Sequence, residues 1–304
     1  MAMADRETTA VIGAGLMGHG IAYLLARAGH TVRVFDPSHD ALASLKTRHL
    51  AITELLGDDA ALCERVMPAN YMGAAVAGAG FVIEAATENV PLKQQIFTEL
   101  ETLSGPDTIL ASNTSSIPLK DIGANMTNTA RLVGSHFWNP PHLVPLVEVS
   151  QLAPENLPAV QKTIEILAAA GRHPVHVKRD IPGFIGNRLQ HAIKREAIAL
   201  VAAGICDAET IDDVVKMGFG KRMAVLGPME QSDLVGLDLT RAIHEVLLSD
   251  LDTSGAPHPY LVDLVESGKT GMDAGQGLRR WTPEEADAVR ARLRDFLAAE
   301  AKSS

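Results

Sequence analysis

A histidine and a glutamate in one short stretch could carry out acid–base chemistry. The stretch HFWNPPHLVPLVEV, residues 136–149, runs from His136 through a proline turn into an apolar run that contains Glu148. An unpaired carboxylate in such a run is costly enough that it would protonate or be replaced. A strand that turns back on itself brings the two residues within reach of each other, so His136 is the nearest titratable partner for Glu148.

Spacing alone leaves two interpretations of this pair. In the first, the carboxylate fixes the imidazole tautomer, and the ring acts as a general base that accepts the proton of a hydroxyl group. In the second, the pair is a structural salt bridge, which perturbs pKa values without any chemistry. The residue types favour neither interpretation over the other.

A glycine-rich loop supplies a cofactor motif. The stretch VIGAGLMGHG places Gly13, Gly15 and Gly18 in the spacing G-x-G-x-x-G, after one strand pattern and at the start of a helix. This spacing is typical of a pyrophosphate site at a helix N-terminus. Asp36 ends the next strand, where a carboxylate binds the adenosine ribose and repels the 2′-phosphate of NADP. The motif therefore predicts NAD, the alternative being a tight turn with a surface Asp. His19 is expected to be a neighbour of the phosphates, not a catalyst.

The elements that position these residues alternate between strands and helices. Helix-length patterns at 16–28 and 90–104 lie between several apolar runs, which implies βαβ units and a parallel sheet covered on both faces. The segment 67–80 should supply another strand but shows no clear period. A further helix is expected at 157–170. The predicted strands are 8–13, 31–36, 81–86, 107–112, 131–136, 144–149 and 173–178.

Past DIPGF, residues 180–184, the pattern becomes helical. Long helical patterns cover 184–203, 207–217 and 233–249, and TPEE at 282–285 has the Thr, Pro and Glu of a capped helix start. The predicted architecture is an α/β Rossmann domain with a doubly wound parallel sheet over residues 1–182. A smaller all-helical domain over 183–304 is expected to follow.

The composition of the chain excludes some classes of binding partner. The chain has 304 residues and a formal net charge of −10, which argues against nucleic acid and anionic membranes. No apolar run is long enough to span a bilayer, and the polar N-terminal lead resembles neither a secretory signal nor a transit peptide. The two cysteines, Cys63 and Cys206, form no disulfide framework and no metal-binding spacing. We expect a cytoplasmic protein without a metal that acts on a small molecule.

Four motifs together resemble the 3-hydroxyacyl-CoA dehydrogenase family. They are SNTSS at 112–116, GSHFWNPP at 134–141, PLVEV at 145–149 and DIPGFIGNRL at 180–189. The resemblance implies an NAD-dependent oxidoreductase that interconverts a 3-hydroxyl and a 3-keto group. It also implies a helical dimerisation domain, and hence a homodimer. In this family pattern His136 matches the catalytic base and Glu148 its orienting acid.

The resemblance implies roles for further residues. Ser115 matches a serine that hydrogen-bonds the substrate, and Asn187 an asparagine that reaches in from the first helix of the second domain. Glu88 and Lys93 match residues on the nicotinamide-ribose side. Ser115 and Asn187 could instead be helix caps, and Lys93 a solvated helix residue. The expected cofactor-binding set is Gly13, Gly15, Leu16, Met17, Gly18, Asp36, Glu88, Lys93, Asn113, Ser115 and Asn139.

Two departures from the family pattern leave the substrate open. CoA-active members have Met-Lys where this chain has Val144-Pro145. In this respect the chain is more similar to relatives that oxidise free gulonate, carnitine or pyridine-carboxylates. Residues 37–80, where the family holds CoA, carry three basic and five acidic side chains. Both an acyl-CoA thioester and a free hydroxy acid therefore remain. A free acid would need a cation, for which Lys221 and Arg222 are candidates, and His142 could line the substrate pocket.

Two other classes of protein share the glycine loop. A reductase of the 6-phosphogluconate or imine type also begins with GLMG, but it would prefer NADPH and would not need the His136–Glu148 pair. A non-catalytic NAD-binding relative, similar to a lens crystallin of this broad family, would show degraded catalytic positions. All four matched positions, including Ser115 and Asn187, are present here.

Overall fold

The computed structural model describes residues 6–303, so residues 1–5 of the N-terminal lead lie outside the described residues. The chain forms two compact units. Unit 1 comprises Met1–Asn187 and Arg294–Ser304, and unit 2 comprises Arg188–Leu293.

An eight-stranded sheet forms the centre of unit 1. Its order is β3-β2-β1-β4-β5-β6-β7-β8, and every neighbouring pair is parallel except β6–β7. β4, β5 and β6 are buried along their whole length, as expected for a parallel sheet covered on both faces. The strands are β1 (Arg6–Ile12), β2 (His30–Phe35), β3 (Val66–Pro68), β4 (Phe81–Glu84), β5 (Ile109–Ser112), β6 (Leu132–Phe137), β7 (Leu146–Ser150) and β8 (His173–Val177).

Six helices accompany this sheet and complete the predicted Rossmann architecture. Their apolar residues pack into two clusters of buried side chains with those of the strands. Val11 and Ile83 belong to one cluster, and Ile12 and Val82 to the other, as the alternation of side chains along a strand requires. The helices are α1 (Gly18–Arg27), α2 (His39–Leu56), α3 (Met72–Val76), α4 (Val90–Leu103), α5 (Leu119–Ile122) and α6 (Leu157–Ala169).

The rest of the chain is helical. Thr282 and Glu285 form the predicted cap of the last helix, since the Thr282 amide donates to Glu285 Oε2 at 2.9 Å and the Glu285 amide to Thr282 Oγ1 at 3.2 Å. None of the described helices is both long and apolar enough to cross a membrane. The helices are α7 (Gly186–Ala202), α8 (Ala208–Met217), α9 (Gly220–Met223), α10 (Pro228–Val235), α11 (Leu237–Leu247), α12 (Pro259–Glu266) and α13 (Pro283–Ser303).

Two elements differ from the predictions. Residues 67–80 contribute only the end of the short strand β3 and then the helix α3, which explains why no single period fits them. The helix predicted over 233–249 is two helices, α10 and α11, because Gly236 between them adopts φ +96°. A positive φ is readily adopted only by glycine and ends a right-handed helix.

Candidate active site

The chemistry-bearing segments meet at one edge of the sheet. β1, β4, β5 and β6 lie side by side and parallel, so their carboxyl ends point the same way. In open α/β sheets this is the edge at which ligands bind. The segments that follow these strands are the glycine loop, residues 85–88, residues 113–116 and residues 138–139.

His136 and Glu148 face each other across β6 and β7. They are directly opposed in the antiparallel register, and His136 Nδ1 lies 3.0 Å from Glu148 Oε2. Both side chains are buried, at 6% and 1% exposure. The structure therefore brings together the two residues that the sequence paired, and the turn between the strands sets their alignment.

Four donors surround the Glu148 carboxylate. Besides His136, the indole Nε1 of Trp138 donates to Oε2 at 3.3 Å, and the amides of Ile185 and Gly186 donate to Oε1 at 2.8 and 3.0 Å. Burial acts to raise the pKa of Glu148, but the hydrogen bonds from His136, Gly186, Ile185 and Trp138 outweigh it and hold the pKa below its usual value. Glu148 is thus a fixed anion that accepts from the imidazole.

The turn before α7 is shaped to hold this pair. Phe184 adopts φ +51°, a left-handed conformation that a bulky side chain enters only under strain. Its ring stacks on the His136 imidazole with centroids 4.8 Å apart. A Cβ on Gly186 would lie 2.3 Å from the Trp138 ring, so only glycine allows this approach. The turn thus aims two amides at Glu148 and a ring at His136.

The second imidazole nitrogen of His136 is left for other partners. Nε2 hydrogen-bonds to no residue in the described part of the chain, yet it is not among the nitrogens sealed from solvent. Because Nδ1 donates to the Glu148 anion, the neutral ring has an unprotonated Nε2. This nitrogen can accept a proton from a bound molecule.

The glycine loop has the geometry that a dinucleotide requires. Gly13 adopts φ +107°, and a Cβ on Gly18 would lie 1.8 Å from the Gly13 oxygen. A Cβ on Gly15 would meet nothing within 4 Å, so this backbone faces open space. Asp36 Oδ2 accepts from the Ala14 amide at 2.7 Å, which ties the acid to the loop. A cleft of about 300 Å³ runs from Gly13 and Gly15 past Asp36, and these residues fit the adenosine and pyrophosphate of NAD.

Lys93 and Glu88 organise a neighbouring loop. Lys93 Nζ is fully buried, 2.6 Å from Glu84 Oε1 and 3.6 Å from Glu88 Oε2. Glu88 Oε1 accepts from the amides of Ser115 and Ser116 and from the Thr114 hydroxyl. Burial acts to raise the pKa of Glu88, but these hydrogen bonds and Lys93 hold it below the usual value. The pair thereby shapes the loop that carries Ser115.

The remaining predicted site residues fall into two groups. Ser115 is exposed, and its carbonyl accepts from Asn187 Nδ2 at 3.2 Å, so these two residues do meet. Asn139 is also exposed, directly after β6. Asn113, by contrast, is buried, and its side-chain oxygen accepts from the Phe137 amide at 2.9 Å. Asn113 thus joins the ends of β5 and β6 from inside.

The candidate cations for a substrate carboxylate are exposed in unit 2, where Lys221 and Arg222 lie on α9. His142 lies instead beside α1. Its ring is 6.4 Å from that of His19, and burial lowers its pKa to about 4. No group of three or more potential ligands within the described residues could hold a metal ion.

Glu84, Trp138 and Phe184 contribute to the candidate site although no sequence motif assigned them a role. Trp138 and Phe184 lie within the motifs quoted above, but only the folded turn shows that both touch the His136–Glu148 pair. Glu84 follows three apolar residues of β4, and a carboxylate in a buried strand was a signal of the same kind as Glu148. The same sequence feature therefore indicates Glu84 as well.

The fold and the glycine loop define an NAD-binding oxidoreductase of the dehydrogenase class. The family model described as 3-hydroxyacyl-CoA dehydrogenase, NAD binding domain, matches residues 8–181. The model of the C-terminal domain of 3-hydroxyacyl-CoA dehydrogenase matches residues 183–281. The chain therefore belongs to the 3-hydroxyacyl-CoA dehydrogenase family, and its cofactor is NAD.

Individual relatives differ in the activities for which they are named. The chain is 35% identical to 5-formyl-3-hydroxy-2-methylpyridine 4-carboxylate 5-dehydrogenase of Mesorhizobium japonicum, over 95% of this chain and 96% of the relative. It is 36% identical to a probable 3-hydroxybutyryl-CoA dehydrogenase of Bacillus subtilis, over 88% and 94%. A solved structure described as the former dehydrogenase, an NAD⁺ dependent dismutase, has a TM-score of 0.88 at 34% identity and covers 96% of each chain.

Proposed function

We propose that this dehydrogenase interconverts a hydroxyl and a carbonyl group on a small free hydroxy acid, with His136 as the base. The observation that carries this proposal is the buried contact of 3.0 Å between His136 Nδ1 and Glu148, which leaves Nε2 open. A purely structural salt bridge would not need the other ring nitrogen, Nε2, to be accessible and without a hydrogen-bond partner among the described residues. Nor would it need to lie at the edge of the sheet where the glycine loop is found.

In the oxidation direction His136 Nε2 accepts the hydroxyl proton of the substrate. The glycine loop and Asp36 would hold NAD, which would supply the acceptor for the hydride from the carbon that carries this hydroxyl. The imidazolium that forms is stabilised by Glu148, whose carboxylate stays ionised because four donors surround it. In reduction, His136 returns the proton to the carbonyl oxygen.

Ser115 and Asn187 complete the proposed site. The Ser115 hydroxyl makes no hydrogen bond within the described residues and is exposed, so it is free to donate to the substrate oxygen. Asn187 fixes the Ser115 carbonyl, and Glu88 fixes the Ser115 amide. These contacts support a role for Ser115 in holding the oxygen whose charge changes during the reaction.

Three observations favour a free acid as the substrate. The relative named for a pyridine-carboxylate substrate matches 95% of this chain, and the matching solved structure has a TM-score of 0.88. Val144-Pro145 replaces the Met-Lys pair of CoA-active members, and residues 37–80 carry more acidic than basic side chains. A 3-hydroxyacyl-CoA thioester is the second candidate, because the Bacillus subtilis relative is 36% identical.

We also propose that two chains associate through unit 2. None of the residues of α7 to α11 is buried, and only Leu264 and Ala286 are buried among residues 188–293. Large apolar side chains such as Val225 and Val246 are 87% and 79% exposed. Exposed apolar surface of this extent is typical of an interaction surface. A second copy of this chain, as the family resemblance implies, is the proposed partner.

A substrate screen with a matched pair of variants tests the function. NADH formation should be measured with free hydroxy acids, namely gulonate, carnitine, 3-hydroxybutyrate and a hydroxymethyl pyridine-carboxylate, and with 3-hydroxybutyryl-CoA. His136→Gln should lower kcat by roughly 10²–10⁴, the usual contribution of a general base, without weakening NADH binding. His173→Gln, at an exposed position in β8, is the control. Turnover of His136→Gln at the control's rate would refute the role of His136, and turnover of the thioester alone would refute the free-acid substrate.

A further inference from the structure

Arg48 contacts the glycine loop from α2 and has no part in the proposed reaction. Its Nη1 donates to the Ala14 oxygen at 2.9 Å and its Nη2 to the Gly15 oxygen at 3.2 Å. No carboxylate of the described residues lies within ion-pair distance of this guanidinium. A full positive charge therefore lies against the loop without a protein anion to balance it.

His19 is oriented by Arg48. Its Nδ1 lies 2.7 Å from Arg48 Nη2 and 2.9 Å from the Gly15 oxygen. An arginine can only donate and a carbonyl oxygen can only accept, so Nδ1 cannot satisfy both contacts in one tautomer. The shorter contact, to the charged donor, favours a neutral ring in which Nδ1 accepts from Arg48 and Nε2 carries the proton. Burial lowers the pKa of His19. Together with the charge of Arg48 it outweighs the nearby backbone oxygens of Gly15 and Leu16, which act to raise the pKa, so the neutral form is favoured.

The Nε2–H group of His19 is a donor without a protein acceptor. It hydrogen-bonds to no described residue and is not among the nitrogens sealed from solvent. The Gly15 oxygen does not need it, since that oxygen accepts from Arg48 and from the His19 amide. One charged donor and one oriented neutral donor thus lie beside a loop whose Gly15 faces open space.

We propose that Arg48 and His19 bind the pyrophosphate of NAD, adding side-chain donors to the backbone amides of the loop. A helix N-terminus supplies only about half a positive charge. A guanidinium adds a full charge, and charge-assisted hydrogen bonds are about twice as strong as neutral ones. His19 is on this basis a cofactor-binding residue and more than a neighbour of the phosphates.

Ligands with and without the pyrophosphate test this assignment at equilibrium. Dissociation constants should be measured for NADH by fluorescence, and for ADP-ribose and adenosine by displacement of NADH. Arg48→Gln should weaken NADH and ADP-ribose about tenfold, the effect of losing one charge-assisted contact, while adenosine binding is unchanged. His19→Ala should weaken the same two ligands by a smaller factor. The affinity of Arg48→Gln should also depend less on salt concentration.

Lys46→Gln is the matched control, because Lys46 lies on the same helix but points to an exposed Glu64 at 2.8 Å. Arg48→Lys keeps the charge and should keep the salt dependence. The proposal is overturned if Arg48→Gln binds NADH and ADP-ribose as tightly as Lys46→Gln does. It is also overturned if adenosine weakens in parallel, which would indicate a distorted loop, or if only the substrate KM changes, which would indicate a substrate carboxylate. Binding needs no turnover, so these outcomes are independent of the role of His136.

Discussion

Glu148 decides which nitrogen of His136 carries the proton. Its Oε2 accepts from His136 and Trp138, and its Oε1 accepts from the amides of Ile185 and Gly186. The fold fixes the positions of these donors. With this acceptor the neutral imidazole has its proton on Nδ1 and a free lone pair on Nε2. The proposed base is therefore in its accepting tautomer before any substrate binds.

Glu148→Gln should reveal this control of the tautomer. The NH₂ of the new amide group has two possible positions. Against the Ile185 and Gly186 amides, it would place donor against donor. Against His136, it would donate to Nδ1, so that the ring proton moves to Nε2. We expect kcat to fall by roughly 10²–10³, since the wrong tautomer cannot act as a base. The dissociation constant of NADH should not change. Steady-state kinetics and fluorescence titration provide the two measurements.

Glu165→Gln is the control for this variant, because Glu165 is exposed on α6 and its ion pair among residues 6–303 is with Lys162, at 3.5 Å. A Glu148→Gln enzyme with the kcat of the control would show that the pair is structural. Such a result would also favour a reductase that uses a residue elsewhere.

The sequence predicts those helices and strands that depend on a local pattern of apolar residues. Apolar runs predict the strands around the glycine loop, and the proline turn predicts that the chain folds back and brings His136 close to Glu148. The structure confirms both. The candidate site lies at the ends of these elements, where the sequence predicts less. The donors from Trp138, Ile185 and Gly186 depend on a left-handed turn at Phe184, which no residue spacing indicates for a bulky aromatic. Arg48 contacts Gly15, which lies 33 residues earlier in the chain. This contact depends on how α2 packs, which the sequence pattern does not indicate.

α2 makes the stability of unit 1 sensitive to acid. His49 is buried on this helix with Nε2 2.8 Å from the His19 oxygen, and burial lowers its pKa to about 4. Because the folded pKa lies below the unfolded value of about 6.5, the unfolded chain binds the proton first as the pH falls. The free energy of unfolding should therefore decrease between pH 6.5 and pH 4, by up to about 1.4 kcal/mol per pH unit for this group.

Urea unfolding between pH 8 and pH 4 measures this slope. His49→Gln keeps a donor for the His19 oxygen but cannot titrate, so its curve should be less steep than that of the unaltered chain. His39→Gln is the matched control, since His39 is exposed at the start of the same helix. Parallel curves for His49→Gln and the unaltered chain would contradict the prediction. A residual slope is expected in the variant, because burial also lowers the pKa of His142 to about 4.

At the scale of the whole molecule, the two units differ in how they bury apolar surface. Unit 1 contains a core on both faces of its sheet, and the end of α13 adds Ala298 to a cluster with Tyr23 and Leu143. Unit 2 has an apolar groove lined by Ile193 and Val201 of α7, Ile211 of α8 and Leu278. Small helical units with so little buried surface are marginally stable alone. Association of two copies would bury this surface.

The mass of the protein in solution tests this association. Light scattering on a sizing column should give twice the chain mass of 32.3 kDa. Val246→Glu places a charge at an apolar position of α11 that is 79% exposed, and burying an unpaired charge in an interface is costly. This variant should elute with the mass of one chain and unfold at a lower temperature. Tyr71→Glu is the control, since Tyr71 is 65% exposed in unit 1 and should leave the mass doubled. A single-chain mass for the unaltered protein at micromolar concentration would rule out the dimer, because an obligate interface of apolar helices persists at such dilution.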